Sequence, residues 1–330
     1  MDIKKLIPEN YSGVITIKKG TKSIYNKALG YADMPNKRRN RLDTKFPTAS
    51  AGKAFVAVGI LKLIEEGKLN FDTTIKEVLD FDLHQIDPDI TIHQLLTHTS
   101  GIPDYCDEEV VTDYADLFVD YPNYKIRTSK DMIPLFIDMP MKYPKGQRFE
   151  YNNTGFVVLG LIIEFITKQP FDVYLKNEIF IPCNMLDTMY CEYDRLPANC
   201  ANVYIYDEKR KEYYTNIYSS TAKGVGDGGA FTTSIDVEKF WKGLFLGKVI
   251  SLDMVEKMIT SKVPEGNYGY GVWIRNINNR YVPYFQGSEP GISFISGYDN
   301  ERDILITLIS NTEDSVWKIN RAIIDKLYNE

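Results

Sequence analysis

The sequence predicts an α+β protein whose sheet is built from both ends of the chain, with a helix-rich stretch inserted between them. Three observations carry this expectation. β-Branched runs separated by turn residues open the chain, apolar residues at helical spacing dominate its middle, and strand-like segments return in the last third. Residues 1–60 and 225–330, approximately, are expected to form the sheet-bearing part of a single unit spanning 1–330, and residues 61–224 its helix-rich insertion.

Residues 13–18 are β-branched, a Lys19-Gly20 turn follows, and residues 23–29 continue to Gly30, so a β-hairpin opens the fold. Over 51–66, Phe55, Val58, Ile60, Leu61, Leu63 and Ile64 give a broad apolar helical face that Gly67 ends. Ser50 therefore stands at a helix N-terminus. Shorter helices are expected around 72–78 and 92–96, then over 130–137, 155–167 and 171–179. Beyond Leu186, residues 203–206 and 213–214 read as strand-like, before the Gly-rich stretch 224–229 and helices at 234–246 and 252–259. Strands are expected at 270–276, 281–286, 292–298 and 303–310. A final helix over 316–328 carries Ile319, Ile323, Ile324 and Leu327 on one side.

With 44% hydrophobic and 25% charged residues in a chain of 330, a sizeable core is within reach. A net charge of −6, with both signs scattered, gives no footprint for nucleic acid or anionic lipid. The one basic cluster, Lys37-Arg38-Arg39, reads as a solvated loop. No apolar run near the start is long enough for a signal peptide or membrane span, so with a native start the chain is expected in the cytoplasm. Cys106, Cys183, Cys191 and Cys200 lack metal-binding spacing and read as free thiols. Monomer and dimer both remain open.

Ser50-Ala-Gly-Lys53 is the first pattern that can carry catalysis, because positions i and i+3 share a helix face and a neutral Lys can accept the Ser proton. The helix N-terminus favours a developing oxyanion and a depressed Lys pKa. Ser220-Thr-Ala-Lys223 and Ser315-Val-Trp-Lys318 match the same spacing, and Ser50 taken alone reads first as an N-cap. Its context separates it: it follows Phe46-Pro-Thr-Ala49 and opens a long apolar helix. Tyr151-Asn-Asn153 is the second candidate, with a Tyr able to shuttle a proton and an Asn able to hold a carbonyl or the Lys.

Taken in order, Phe46 to Lys53 and Phe149-Glu-Tyr151-Asn-Asn153-Thr-Gly155 resemble the first two active-site motifs of the serine β-lactamase-like and penicillin-binding protein superfamily, in its class C, DD-peptidase and esterase branch. Ile64 to Leu69, Ile90-Thr-Ile-His-Gln-Leu-Leu-Thr-His98-Thr-Ser-Gly-Ile-Pro103, Pro182 to Thr188 and Gly228-Gly-Ala-Phe-Thr-Thr-Ser-Ile-Asp236 resemble further segments of that family, from about Tyr11 to the C-terminus. The resemblance implies a β-lactamase/transpeptidase-like fold: an antiparallel sheet flanked by helices, with a helical insertion and the site between them. The third family motif, Lys/His-x-Gly on a strand lining the site, falls at Phe285-Gln286-Gly287. Gly287 is kept, and Phe285 stands where the family has a cation.

The resemblance further implies that Ser50 is acylated, with Lys53 and Tyr151 as proton carriers. Asn153 and the stretch Phe285, Gln286, Gly287 and Ser288 would bind substrate, with the N–H groups of Ser50 and Ser288 as the oxyanion hole. No metal or organic cofactor is needed, and the partner is a small-molecule or short-peptide substrate: an ester, amide or peptide. The missing cation makes a neutral substrate relatively more favourable than a carboxylate-bearing β-lactam, and motivates the alternative of a non-catalytic ligand binder. A phosphate-binding loop at Gly52-Lys53 is excluded by Pro47 and Ala54, and a Ser-His-Asp triad by the absence of Gly-x-Ser-x-Gly and of any His after 98. His98 is expected to brace the turn at Thr99-Ser-Gly101, and Tyr105 with Asp107-Glu-Glu109 to form a surface loop.

Overall fold

A computed structural model describes residues 3–107, 110–111, 113–312 and 316–328. The opening hairpin consists of β1 (Gly13–Lys19) and β2 (Lys22–Leu29); β3 (Trp273–Ile277), β4 (Arg280–Glu289), β5 (Ile292–Asp299) and β6 (Ile304–Ser310) come from the last third. They form one six-stranded sheet in the order β2-β1-β6-β5-β4-β3, every pairing antiparallel. The two ends of the chain meet where Gly13 pairs with Ser310 and Lys19 with Ile304. The α+β class and the sheet built from both termini are therefore as the sequence predicts.

Five longer helices accompany the sheet: α1 (Lys53–Glu65), α2 (Asn153–Thr167), α3 (Ser234–Phe245), α4 (Leu252–Ile259) and α5 (Val316–Tyr328). The period-2 alternation of the strands splits the apolar residues between two cores. Val14, Phe285, Phe294, Leu305 and Ile309 join the larger one, with α1, α2 and α3. Ile15, Ile17, Val282, Ile295, Ile306 and Leu308 join a smaller one beneath Val316, Ile319 and Ile323 of α5. Every residue from Lys53 to Leu61 is buried, so α1 is enclosed on all sides where the sequence indicated a single broad face.

Departures from the expected elements have local causes. Residues 130–137 form a 3-10 helix, Ser129–Leu135, in which Pro134 offers no backbone donor for an α-helical bond. The 171–179 helix divides into an α segment, Phe171–Leu175, and a π turn, Lys176–Phe180. The expected 203–206 and 213–214 strands pair with one another as Tyr204–Asp207 and Glu212–Thr215, outside the main sheet. All four cysteines are free thiols. Among the described residues no helix is long and apolar enough to cross a membrane.

Candidate active site

Two short strands, Phe46–Pro47 and Phe231–Thr232, pair antiparallel and bring the chain to Ser50 beside the Gly-rich segment. The Thr48 N–H donates to Ala230 O at 2.8 Å and the Gly229 N–H to Ala49 O at 3.1 Å. Ala49 has φ +46°, a left-handed conformation that residues with a Cβ rarely adopt, and it turns the chain into the 3-10 turn Ala49–Gly52 that runs into α1. A Cβ on Gly228 would lie 2.3 Å from Ala49 O, so only glycine lets the two backbones meet here.

Lys53, the first residue of α1, is 2% exposed. Its Nζ donates to Ser50 Oγ at 2.9 Å, to Asn153 Oδ1 at 2.8 Å and to Asp227 O at 2.8 Å. The Tyr151 ring lies 5.0 Å from the same nitrogen. Asn152 is the N-cap of α2, accepting from Gly155 N at 2.8 Å, which sets Tyr151 and Asn153 on either side of the helix start. Asn153 is fixed in turn: its Nδ2 donates to Cys106 O at 3.0 Å, and its backbone N–H donates to the Asp104 carboxylate at 3.1 Å.

Asp104 directly follows the 90–103 segment singled out in the sequence, yet nothing in the sequence marks it as a site residue. It is 5% exposed. Burial raises its pKa to about 6, opposed by backbone hydrogen bonds from Asn153, Cys106 and Thr154 and by the charge of Lys53. The folded-state pKa exceeds the unfolded one, so between about pH 4 and 6 the folded protein binds more protons, and stability falls as pH rises, by about 3 kcal/mol at most. Asp104→Asn cannot ionise. In urea denaturation its stability should gain on the parent's between pH 4 and pH 7, and parallel pH profiles would rule out this titration.

His98 braces a different segment from the one expected. The Asn152 N–H donates to its Nδ1 at 3.1 Å, which leaves the proton on Nε2 to be donated to Tyr268 Oη at 3.0 Å. Burial, and then the charge of Lys53, holds its pKa well below the usual value, so the ring is neutral. It packs 4.5 Å from the ring of Tyr151, tying the 90–103 segment to the Tyr-Asn-Asn turn. Tyr105 is half-buried, not on a surface loop, and its hydroxyl donates to Asp227 Oδ2 at 2.5 Å. Asp107 accepts from Lys142 Nζ at 2.7 Å, while Glu108 and Glu109 lie outside the described residues. Of the competing Ser-x-x-Lys matches, Lys223 is paired with Asp172 at 2.7 Å and Ser315 lies outside the described residues.

β3 pairs with β4 only as far as Tyr284, so from Phe285 onward the outer edge of β4 is left to the Ser50 turn. A Cβ on Gly287 would fall 2.7 Å from Ser50 N. A cavity of about 80 Å³ opens at this edge, lined by Ser50, Tyr151, Trp273, Gln286, Gly287, Ser288 and Trp317. Ser50, Tyr151, Gln286, Gly287 and Ser288 are thus brought together as the sequence predicts, with Lys53 and Asn153 buried against them. Phe285 is not among them. Alternation along β4 turns its ring into the larger core, 2% exposed and stacked on Trp241 at 4.9 Å, so the substrate contact expected of this side chain is corrected. Trp273 and Trp317 escaped the sequence reading because each lies inside an ordinary strand or helix pattern. Among the described residues no cluster of three or more metal-binding side chains forms.

Residues 9–327 match the family model described as Beta-lactamase. A penicillin-binding protein from Bacillus halodurans, known from its crystal structure, is 36% identical, covers 97% of this chain and 98% of its own, and superposes with a TM-score of 0.92. A penicillin-binding protein of Bacillus subtilis (strain 168) is 27% identical over 328 residues, 93% of this chain and 70% of its own. An octameric penicillin-binding protein homologue from Pyrococcus abyssi is 27% identical, with a TM-score of 0.85 over 100% of this chain and 78% of its own.

Proposed function

The chain belongs to the beta-lactamase family, and from that premise we propose that it is a serine hydrolase that cleaves an ester, amide or peptide through an acyl-enzyme on Ser50. The observation that carries this reading is the set of three oxygens within 2.9 Å of Lys53 Nζ. A neutral Lys keeps two N–H donors for Asn153 Oδ1 and Asp227 O and turns its lone pair to the Ser50 hydroxyl. Lys53 accepts the Ser50 proton as Oγ bonds to the substrate carbonyl carbon. The carbonyl oxygen takes up negative charge against the N–H groups of Ser50 and Ser288. Collapse breaks the bond to the leaving group, which takes a proton relayed from Lys53 through Tyr151. Water then attacks the acyl-enzyme, loses its proton along the same route, and releases the acid and free Ser50.

Phe285 supplies no cation at the scissile bond, and the cavity walls there are aromatic: Tyr151, Trp273 and Trp317. Intact-mass spectrometry after incubation with a fluorophosphonate tests the proposal. One adduct is expected on the parent and none on Ser50→Ala. An unlabelled parent leaves a non-catalytic binder, and an adduct that survives in Ser50→Ala removes Ser50 as nucleophile.

A further inference from the structure

A second cavity, of about 480 Å³, lies next to the first on the α5 side of the β3–β4 hairpin. The two share Gln286 and Trp317, whose side chains meet where Trp317 Nε1 donates to Gln286 Oε1 at 2.9 Å. Two guanidiniums line the larger cavity: Arg275 from β3 and Arg321 from α5. Arg275 lies over the Tyr284 ring at 3.9 Å, and among the described residues neither arginine forms an ion pair with a carboxylate. The nearest acidic wall residue in sequence is Asp325, one helical turn from Arg321. Asn320 also lines the cavity, is 4% exposed, and takes part in no side-chain hydrogen bond among the described residues. Two guanidiniums, the half-buried Arg275 held on Tyr284 and the solvent-exposed Arg321, thus converge with the Asn320 amide on one cavity without a carboxylate paired to either among the described residues, a composition suited to an anion.

We infer that this cavity binds a carboxylate carried on the acyl arm of the substrate, with Arg275 and Arg321 as its cations and Asn320 as a further donor. The inference rests on the hydrolase reading above and names the substrate class. The charge recognition that Phe285 withholds at the scissile bond is relocated along the hairpin. From Gly287, beside Ser50, to Tyr284, beneath Arg275, is three residues of strand, or about 10 Å. The acyl arm is indicated because the larger cavity adjoins the smaller one at Gln286 and Trp317 and not at Tyr151, the group that serves the leaving atom. An acyl group ending in a carboxylate roughly eight carbon–carbon bonds from the reacting carbonyl, or a short peptide with an acidic end, spans that distance.

Mono-p-nitrophenyl esters of glutaric, suberic and sebacic acids, each paired with the neutral methyl ester of the same chain, provide the test. The ratio of kcat/KM for the acid to that for its neutral partner should rise at least tenfold from glutarate to the longer members. Arg275→Gln and Arg321→Gln should each collapse that ratio at least fivefold, and Arg275→Lys should restore part of it. The Ser50→Ala protein should bind free suberate, but not octane-1,8-diol, in isothermal titration calorimetry, and lose that binding with Arg321→Gln. A ratio independent of chain length, a ratio untouched by both glutamine variants, or equal binding of suberate and the diol would each overturn the inference. Failure of the catalytic reading is separate: it is turnover of the neutral esters that persists in Ser50→Ala.

Discussion

Replacing Lys53 with methionine is expected to lower the rate of Ser50 acylation by about three to four orders of magnitude, the upper range for loss of a positioned general base. The nitrogen lies 2.9 Å from Ser50 Oγ on a side chain that is 2% exposed, and no other basic side chain hydrogen-bonds that oxygen among the described residues. Methionine fills the same volume. It leaves Asn153 Oδ1 and Asp227 O without their donor, at a stability cost of about 1–3 kcal/mol, so labelling rates are to be compared on folded protein. Lys53→Arg distinguishes proton transfer from charge alone: a guanidinium does not deprotonate in this pH range, and the variant should be as slow as Lys53→Met. Fluorophosphonate labelling followed over time reads both. A Met variant that keeps more than a tenth of the parental rate would remove Lys53 as the base.

Gly287→Ala should be nearly as damaging from the opposite wall. The new methyl would meet Thr48 O at 2.3 Å and the nitrogens of Ser50 and Ala51 at 2.7 Å, all of them backbone atoms with no rotamer to change. β4 must then draw back from the nucleophile turn, carrying the Ser288 N–H away from the carbonyl oxygen it is proposed to hold. Loss of one oxyanion donor costs on the order of 10² to 10³ in kcat, and the overpacking about 1–3 kcal/mol of stability. Ser288→Ala keeps the N–H and loses only a hydroxyl, so it should stay within a few-fold of the parent. Equal losses in the two variants would mean that the Ser288 side chain, not the backbone, serves the reaction.

The fold was legible where burial imposes a simple period. The β-branched and apolar runs of β1, β5 and β6 and the 316–328 helix reproduce the structure to within a residue, because the strands are sandwiched between two apolar cores and the helix packs one side on the smaller of them. The 113–150 region was poorly legible: its backbone is organised by turns and 3-10 segments whose partners lie far away in sequence. In the site, Ser50, Lys53, Tyr151 and Asn153 were readable because each pair lies within a few residues of the other. Asp104 and Asp227 were not, since what distinguishes them is a buried contact made across 49 and 174 residues of chain. Phe285 was misplaced for a different reason. Matching it to a family position says which residue replaces the cation, but the period of the strand decides which way the new side chain faces, and an aromatic ring follows the core.

The join between β1 and β6 also sets the timetable of assembly. β1 leaves the ribosome early, yet its neighbour on one side is β6, nearly three hundred residues later, and β5 and β4 reach β1 only through that strand. During synthesis the first hairpin must wait with one edge unpaired, the arrangement most open to pairing with the wrong chain. The β4 edge beside Ser50 is likewise translated more than two hundred residues after Ser50 and Lys53, so a nascent chain carries both residues long before the proposed oxyanion hole can form. Such a high separation of paired strands predicts slow folding, and activity that appears in one late step once the C-terminal strands have been released.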